Sequence, residues 1–66
     1  MPSDNIGYYA GDAVNVLDTS NGRTLTAWVR RVDASGVQVY VERFKNLMTF
    51  VNGKTRLGRF ELAGHQ

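Results

Sequence analysis

Four residues stand out for the chemistry they could do together: Trp28, Arg30, Tyr40 and Phe44. Trp, Tyr and Arg supply most of the energy at binding hot spots. The same types build nucleic-acid platforms, in which aromatic rings take bases and guanidiniums take phosphate. A second set is purely cationic: Arg43, Lys45, Lys54 and Arg56. Arginine grips phosphate through two parallel hydrogen bonds, whereas lysine meets it as a point charge. The expectation is a binding surface of these eight residues that engages nucleic acid. The alternative is a protein–protein module, as adaptor, inhibitor or homo-oligomer, that uses the same face.

Catalytic chemistry has little to work with. The chain has no cysteine, which removes both a disulfide and a Cys-type zinc site. His65 is the one histidine and lies in Gly64-His65-Gln66, which reads as a tail. The carboxylates Asp12, Asp18, Asp33, Glu42 and Glu61 are scattered. Asp12 precedes a strand and Asp33 opens a turn, where aspartate bonds its own backbone. No Ser/His/Asp set or paired acid is visible, and Gly7, Gly11 and Gly22 lack dinucleotide-fingerprint spacing. The expectation is therefore a non-enzymatic protein without metal or cofactor.

The net charge of +2 is unevenly spread. Residues 1–22 hold Asp4, Asp12 and Asp18 and no basic side chain, a net of −3. Residues 23–66 hold all eight basic residues against Asp33, Glu42 and Glu61, a net of +5. Such asymmetry can mark an anionic partner. No apolar run approaches the roughly 18 residues of a membrane helix. Residues 1–10 carry no Lys or Arg and do not read as a secretory signal. A soluble, cytoplasmic protein is expected.

These side chains must be held by strands. Val14 and Val16 flank Asn15, and Val37, Val39 and Val41 alternate with Gln38 and Tyr40. That is period two, and no stretch sustains helical spacing. Asn21-Gly22 and Asn52-Gly53 read as type I′ hairpin turns. Asp33-Ala34-Ser35-Gly36 reads as a type I turn with a glycine bulge, and Lys45-Asn46 as a further turn. The strands fall at about 12–18, 23–32, 37–44, 47–51 and 54–62.

These turns set Val16 opposite Ala27, Val29 opposite Val41, Val41 opposite Phe50 and Met48 opposite Leu57. One apolar face results: Val14, Val16, Ala27, Val29, Val39, Val41, Met48, Phe50, Leu57, Phe60 and Leu62. Phe60 and Leu62 join it through a bulge at Gly58. Arg31 falls on this face too, near its rim. The opposite face carries Trp28, Arg30, Tyr40, Glu42, Phe44, Thr49 and Val51, with Arg30 across from Tyr40 and Trp28 across from Glu42. Closing the meander would remove its raw edges. The expected fold is all-β: a five-stranded antiparallel meander closed into an SH3-like barrel over residues 11–63. A short N-terminal arm, 1–10, precedes it, and a tail, 64–66, follows.

Gly11-Asp12-Ala13-Val14 resembles the entry to the first strand of many SH3-like barrels, Tudor and KOW modules among them. Val37-Gln38-Val39-Tyr40 is similar to the Val-Gln-Ile-Tyr strand that lines the pore of type II dihydrofolate reductases, also SH3-like barrels. Here the match falls on the third strand and the first strand has no lysine, so no catalytic residue is carried over.

A 66-residue domain buries only about 60% of the surface its unfolded chain exposes. Any supplementary stabiliser, whether terminus, second subunit or ligand, is expected over the face of Trp28, Tyr40 and Phe44.

Overall fold

The computed structural model describes residues 7–66. Of the expected N-terminal arm, residues 1–6 lie outside the described residues, Ile6 included. Five strands follow: β1 Ala13–Asp18, β2 Arg23–Asp33, β3 Gly36–Val41, β4 Asn46–Phe50 and β5 Phe60–His65. All pairings are antiparallel, in the order β4-β3-β2-β1-β5. The described residues contain no helix, and so none long and apolar enough to cross a membrane.

The expected meander holds through four strands and then departs. β5 does not lie beside β4; it adds to the far side of β1. No ladder joins β4 to β5, so the sheet is not closed into a barrel. Two isolated bridges, Val51 with Lys54 and Lys54 with Glu61, span the gap.

Asn52-Gly53 makes its turn as its chemistry predicts. Both residues have positive φ (55° and 79°), and Val51 and Lys54 close the turn. The chain then leaves β4. Thr55 donates its N–H to the Phe60 carbonyl (3.0 Å), and Phe60 N donates to Thr55 Oγ1 (3.2 Å). Residues 56–59 become a tight turn with Leu57 near its tip, 93% exposed. The expected pairing of Met48 with Leu57 is absent for that reason.

The other turns differ in length. Asp18, not Ser20, pairs with Arg23, and only Gly22 of the Asn21-Gly22 pair has positive φ. The β3–β4 turn spans residues 42–45, with Val41 opposite Asn46 and Lys45 at φ 51°. Val14 now faces Ala27, and Val37 faces Phe50. Relative to the expected registers these are shifts of even numbers of residues. An even shift leaves every side chain on its own face.

The core survives accordingly. Val14, Val16, Ala27, Val29, Val37, Val39, Val41 and Phe50 are buried. Tyr8, Leu25, Val32, Met48, Phe60 and Leu62 pack against them. Val37 joins Val39 and Val41 on the core face by plain alternation, though it was not among the expected core residues, and β2 changes parity opposite it. Val29 pairs with Val39, but Arg31 pairs with Gln38, so Arg30 is the extra residue of a bulge. The bulge carries Arg31 off the core face, where simple alternation placed it, and turns Val32 inward opposite Val37.

Gly36 closes the β2–β3 turn at φ 133°. A Cβ there would sit 2.5 Å from the Phe50 carbonyl oxygen, so only glycine fits. The last residues are tied to the sheet. β5 runs through His65, with a register shift in which Gly64 takes φ 88°, and Gln66 donates its backbone N–H to the Ala13 carbonyl (3.0 Å) and its side-chain amide to the Val14 carbonyl (2.9 Å).

Candidate functional site

The eight candidate residues do not form one surface. Trp28 and Tyr40 come together directly. They are register partners, and the row extends to Ala13 on β1 and Leu47 on β4. Directly opposite positions bring Cβ atoms within about 5.5 Å. The result is one apolar and aromatic row across four strands, on the face turned away from the core. Trp28 is 36% exposed and Leu47 46%. Leu47 was missed because the expected pairing of Val41 with Phe50 sets Tyr40 against Val51, whereas Tyr40 pairs with Leu47.

Arg30 leaves this row. As the bulge residue it has no partner on β3, and it lines a groove with Arg31, Tyr8 and Tyr9. Phe44 also leaves the face. Its ring lies edge-on to Phe60, 5.7 Å between centroids, at the end of the sheet where the β1–β2 and β3–β4 turns meet.

That end carries the cations. Arg23, Arg43 and Arg59 line one cleft of about 430 Å³, together with Asp18, Asn21, Leu25 and Phe44. Lys45 ends the same β3–β4 turn, and Arg56 stands in the turn that also supplies Arg59. Lys54 sits apart, bridging β4's extension to β5. Arg23 and Arg59 were not among the expected site residues. Their positions were hidden by the β4–β5 pairing that the sequence suggested.

Only one acid is built into the cleft, and it is already occupied. Asp18 is 2% exposed and continues the inward-facing series of Val14 and Val16. Arg59 donates to it from Nε and from a terminal guanidinium nitrogen, both at 3.1 Å. Ser20 donates from its backbone N (3.0 Å) and Oγ (2.7 Å). A carboxylate so surrounded by donors prefers its charged form. The Arg59 hydrogen bonds, then those of Ser20, hold the Asp18 carboxyl at about 2. The same pairing raises Arg59. The Arg59 guanidinium also lies over the Phe60 ring, 4.8 Å from its centroid. Thr19 fixes the adjoining turn by donating its N–H to the Arg59 carbonyl (2.8 Å).

At the opposite end Arg30 makes no ion pair among the described residues, but its charged neighbours are paired. Arg31 pairs with Asp33 (3.0 Å). His65 Nε2 lies 3.1 Å from Asp12 Oδ2, and the His65 ring stacks on Tyr8 at 4.8 Å. By contrast, Arg23, Arg43, Lys45 and Arg56 make no ion pair among the described residues. Nor do the described residues contain a cluster of His, Cys, Asp and Glu able to hold a metal.

No family model matches this chain, and comparisons with curated proteins and with solved structures return no match.

Proposed function

We propose that this protein is a small non-enzymatic module that binds single-stranded nucleic acid. The observation that carries the reading is the one-sided charge. Four cations, Arg23, Arg43, Lys45 and Arg56, make no ion pair among the described residues and lie towards one end, where Glu42 is the acid of their turn and Asp18, the acid lining the cleft, is spent on Arg59. Beside them lies an aromatic row, Trp28 with Tyr40, two residues along the strands from the Arg43–Lys45 turn. Bases stack on the row, and Arg43, Lys45 and Arg56 hold the phosphates, with Lys54 extending the track. A single strand fits this division because its bases are free to leave their own stack. In the same reading the sheet is an SH3-like barrel whose last seam, between β4 and β5, stays open.

Trp28 is the only tryptophan, so its fluorescence reports the row directly. Titration with a pyrimidine oligonucleotide should quench it, and the affinity should fall as salt rises. The slope should be about −0.7 per phosphate contact in a logarithmic plot. Trp28→Ala should weaken binding about ten- to a hundredfold, the size of one lost base stack. Arg43→Glu with Lys45→Glu should abolish it. Unchanged fluorescence at about 50 mM salt, where such contacts are strong, would overturn the reading.

A second reading is favoured by one observation. Leu47 makes the row more apolar than bases require, and Leu57 stands almost wholly exposed. A partner protein or a second copy would use that surface. Light scattering separates the two: a dimer that persists in Arg43→Glu/Lys45→Glu and dissociates in Leu47→Lys supports self-association.

A further inference from the structure

We infer that the arginine cleft recognises a terminal phosphomonoester, the phosphorylated end of a nucleic-acid strand. The inference rests on the nucleic-acid reading above and assigns the cleft a narrower task. Three segments far apart in sequence converge there: the start of β2 with Arg23, the β3–β4 turn with Arg43 and Phe44, and the turn before β5 with Arg59. Asp18 and Leu25 also line it, as inward-facing residues at the ends of β1 and β2. The cleft therefore backs onto the core. It suits a group that ends there more than a chain that passes through.

Charge identifies the group. Asp18 cancels Arg59 through two hydrogen bonds, so two guanidiniums, Arg23 and Arg43, remain uncompensated. An internal phosphodiester brings one negative charge. A terminal phosphomonoester brings about 1.5 to 2 at pH 7, with three acceptor oxygens for the guanidinium forks. Two forks facing a dianion form a charge-matched pair; two forks on a diester leave one unmatched. The roles of the two ends of Arg59 follow. Its carboxylate clamp and its seat over Phe60 fix one wall of the cleft, while Arg23 and Arg43 stay free to close on the ligand. Phe44, held edge-on by Phe60, offers its ring to the first base.

The test uses oligonucleotides of one sequence bearing a 5′-phosphate, a 3′-phosphate or hydroxyls at both ends, with inorganic phosphate as a competitor. One of the phosphorylated strands should bind at least about tenfold more tightly than the hydroxyl-ended strand, the size of one added charge-assisted contact. Arg23→Gln should erase that advantage. It should weaken the phosphorylated strand by about tenfold more than the hydroxyl-ended strand, because Arg23 lines the cleft and takes no part in the stacking row. Equal affinity for all three strands would overturn the inference and leave the nucleic-acid reading standing. Binding of phosphorylated strands alone would keep the inference and overturn the stacking face. Failure of every strand to bind would overturn both. Inorganic phosphate that competes at the concentration of the phosphorylated strand would show a free-phosphate site and overturn recognition of a strand end.

Discussion

β5 is fastened to β1 at both of its ends, and each fastening is an aspartate. At one end Asp18 holds Arg59; at the other Asp12 approaches His65. The partners differ in kind. Asp18 is 2% exposed and receives four hydrogen bonds, two of them from one planar guanidinium. The Asp12 side chain is 29% exposed, takes the Tyr9 N–H (2.9 Å), and forms an ion pair with His65 only when the imidazole is protonated. Two acids with the same topological task thus differ by burial and by the permanence of their partner's charge. Breaking a buried pair leaves an uncompensated charge and is costly, whereas exposed pairs contribute little.

The largest effect should follow from Asp18→Asn. It strips the charge and one acceptor oxygen from the pair with half-exposed Arg59, while an amide oxygen can still receive the Ser20 donors, and Tm should fall by about five degrees. Arg59→Gln should act through the same contact. In a double-mutant cycle the two losses should therefore combine to clearly less than their sum. A strictly additive cycle would show that the pair does not fasten β5.

Acid sharpens the contrast next. The Asp18 carboxyl is held at about 2 against an ordinary 3.8, so the folded state binds this proton less readily than the unfolded chain. Its stabilisation is complete above about pH 4 and is lost as pH falls towards 2. Asp12, bonded to the Tyr9 N–H, and Asp33, bonded to Ser35, are lowered in the same direction. Denaturant midpoints should be flat down to about pH 4 and decline below it, and Asp18→Asn should remove a large part of that decline. An identical acid profile in the variant would refute the assignment.

The smallest effect belongs to the outer clasp. Asp12→Asn should lower Tm by about two degrees, because its hydrogen bond to Tyr9 is replaceable and its contact with His65 is exposed. His65→Phe should keep the stack on Tyr8 and cost no more. A drop as large as that of Asp18→Asn would erase the difference between the two ends.

Much of this was legible in the sequence, for a specific reason. The alternation of Val14 and Val16, and of Val37, Val39 and Val41, fixes faces without fixing registers. Turn lengths were misjudged at residues 19–22 and 42–45 by even numbers of residues, and the β2–β3 turn by one, a shift that the bulge at Arg30 makes even again upstream. An odd error would have turned valines outward, and the pattern itself argues against it. Leu57 was misplaced because the Asn52-Gly53 turn correctly announces a hairpin but not its length. What ends it is Thr55, whose hydroxyl competes for the backbone of Phe60, and local side-chain competition of that kind leaves no periodic trace. The cationic end was out of reach for a related reason. Arg23, Arg43 and Arg59 meet only once β5 crosses to β1. Of the proposed stacking residues, Trp28 and Tyr40 were readable from alternation alone, whereas Arg30 and Phe44 were assigned to their face by period two and left it at a bulge and a turn.

The bulge at Arg30 works like an added letter in a text read two at a time. Upstream of it β2 counts inward on 25, 27 and 29; downstream it counts on 32. Deletion of Arg30 would close the bulge and leave Val29, Arg31 and Val32 in plain alternation, with both valines inward and Arg31 outward. Pairing residue 30 regularly, at unchanged length, would instead turn Arg31 inward and deliver Val32 to solvent. The strand therefore carries one residue more than its faces need, and the bulge is what keeps that surplus out of the core.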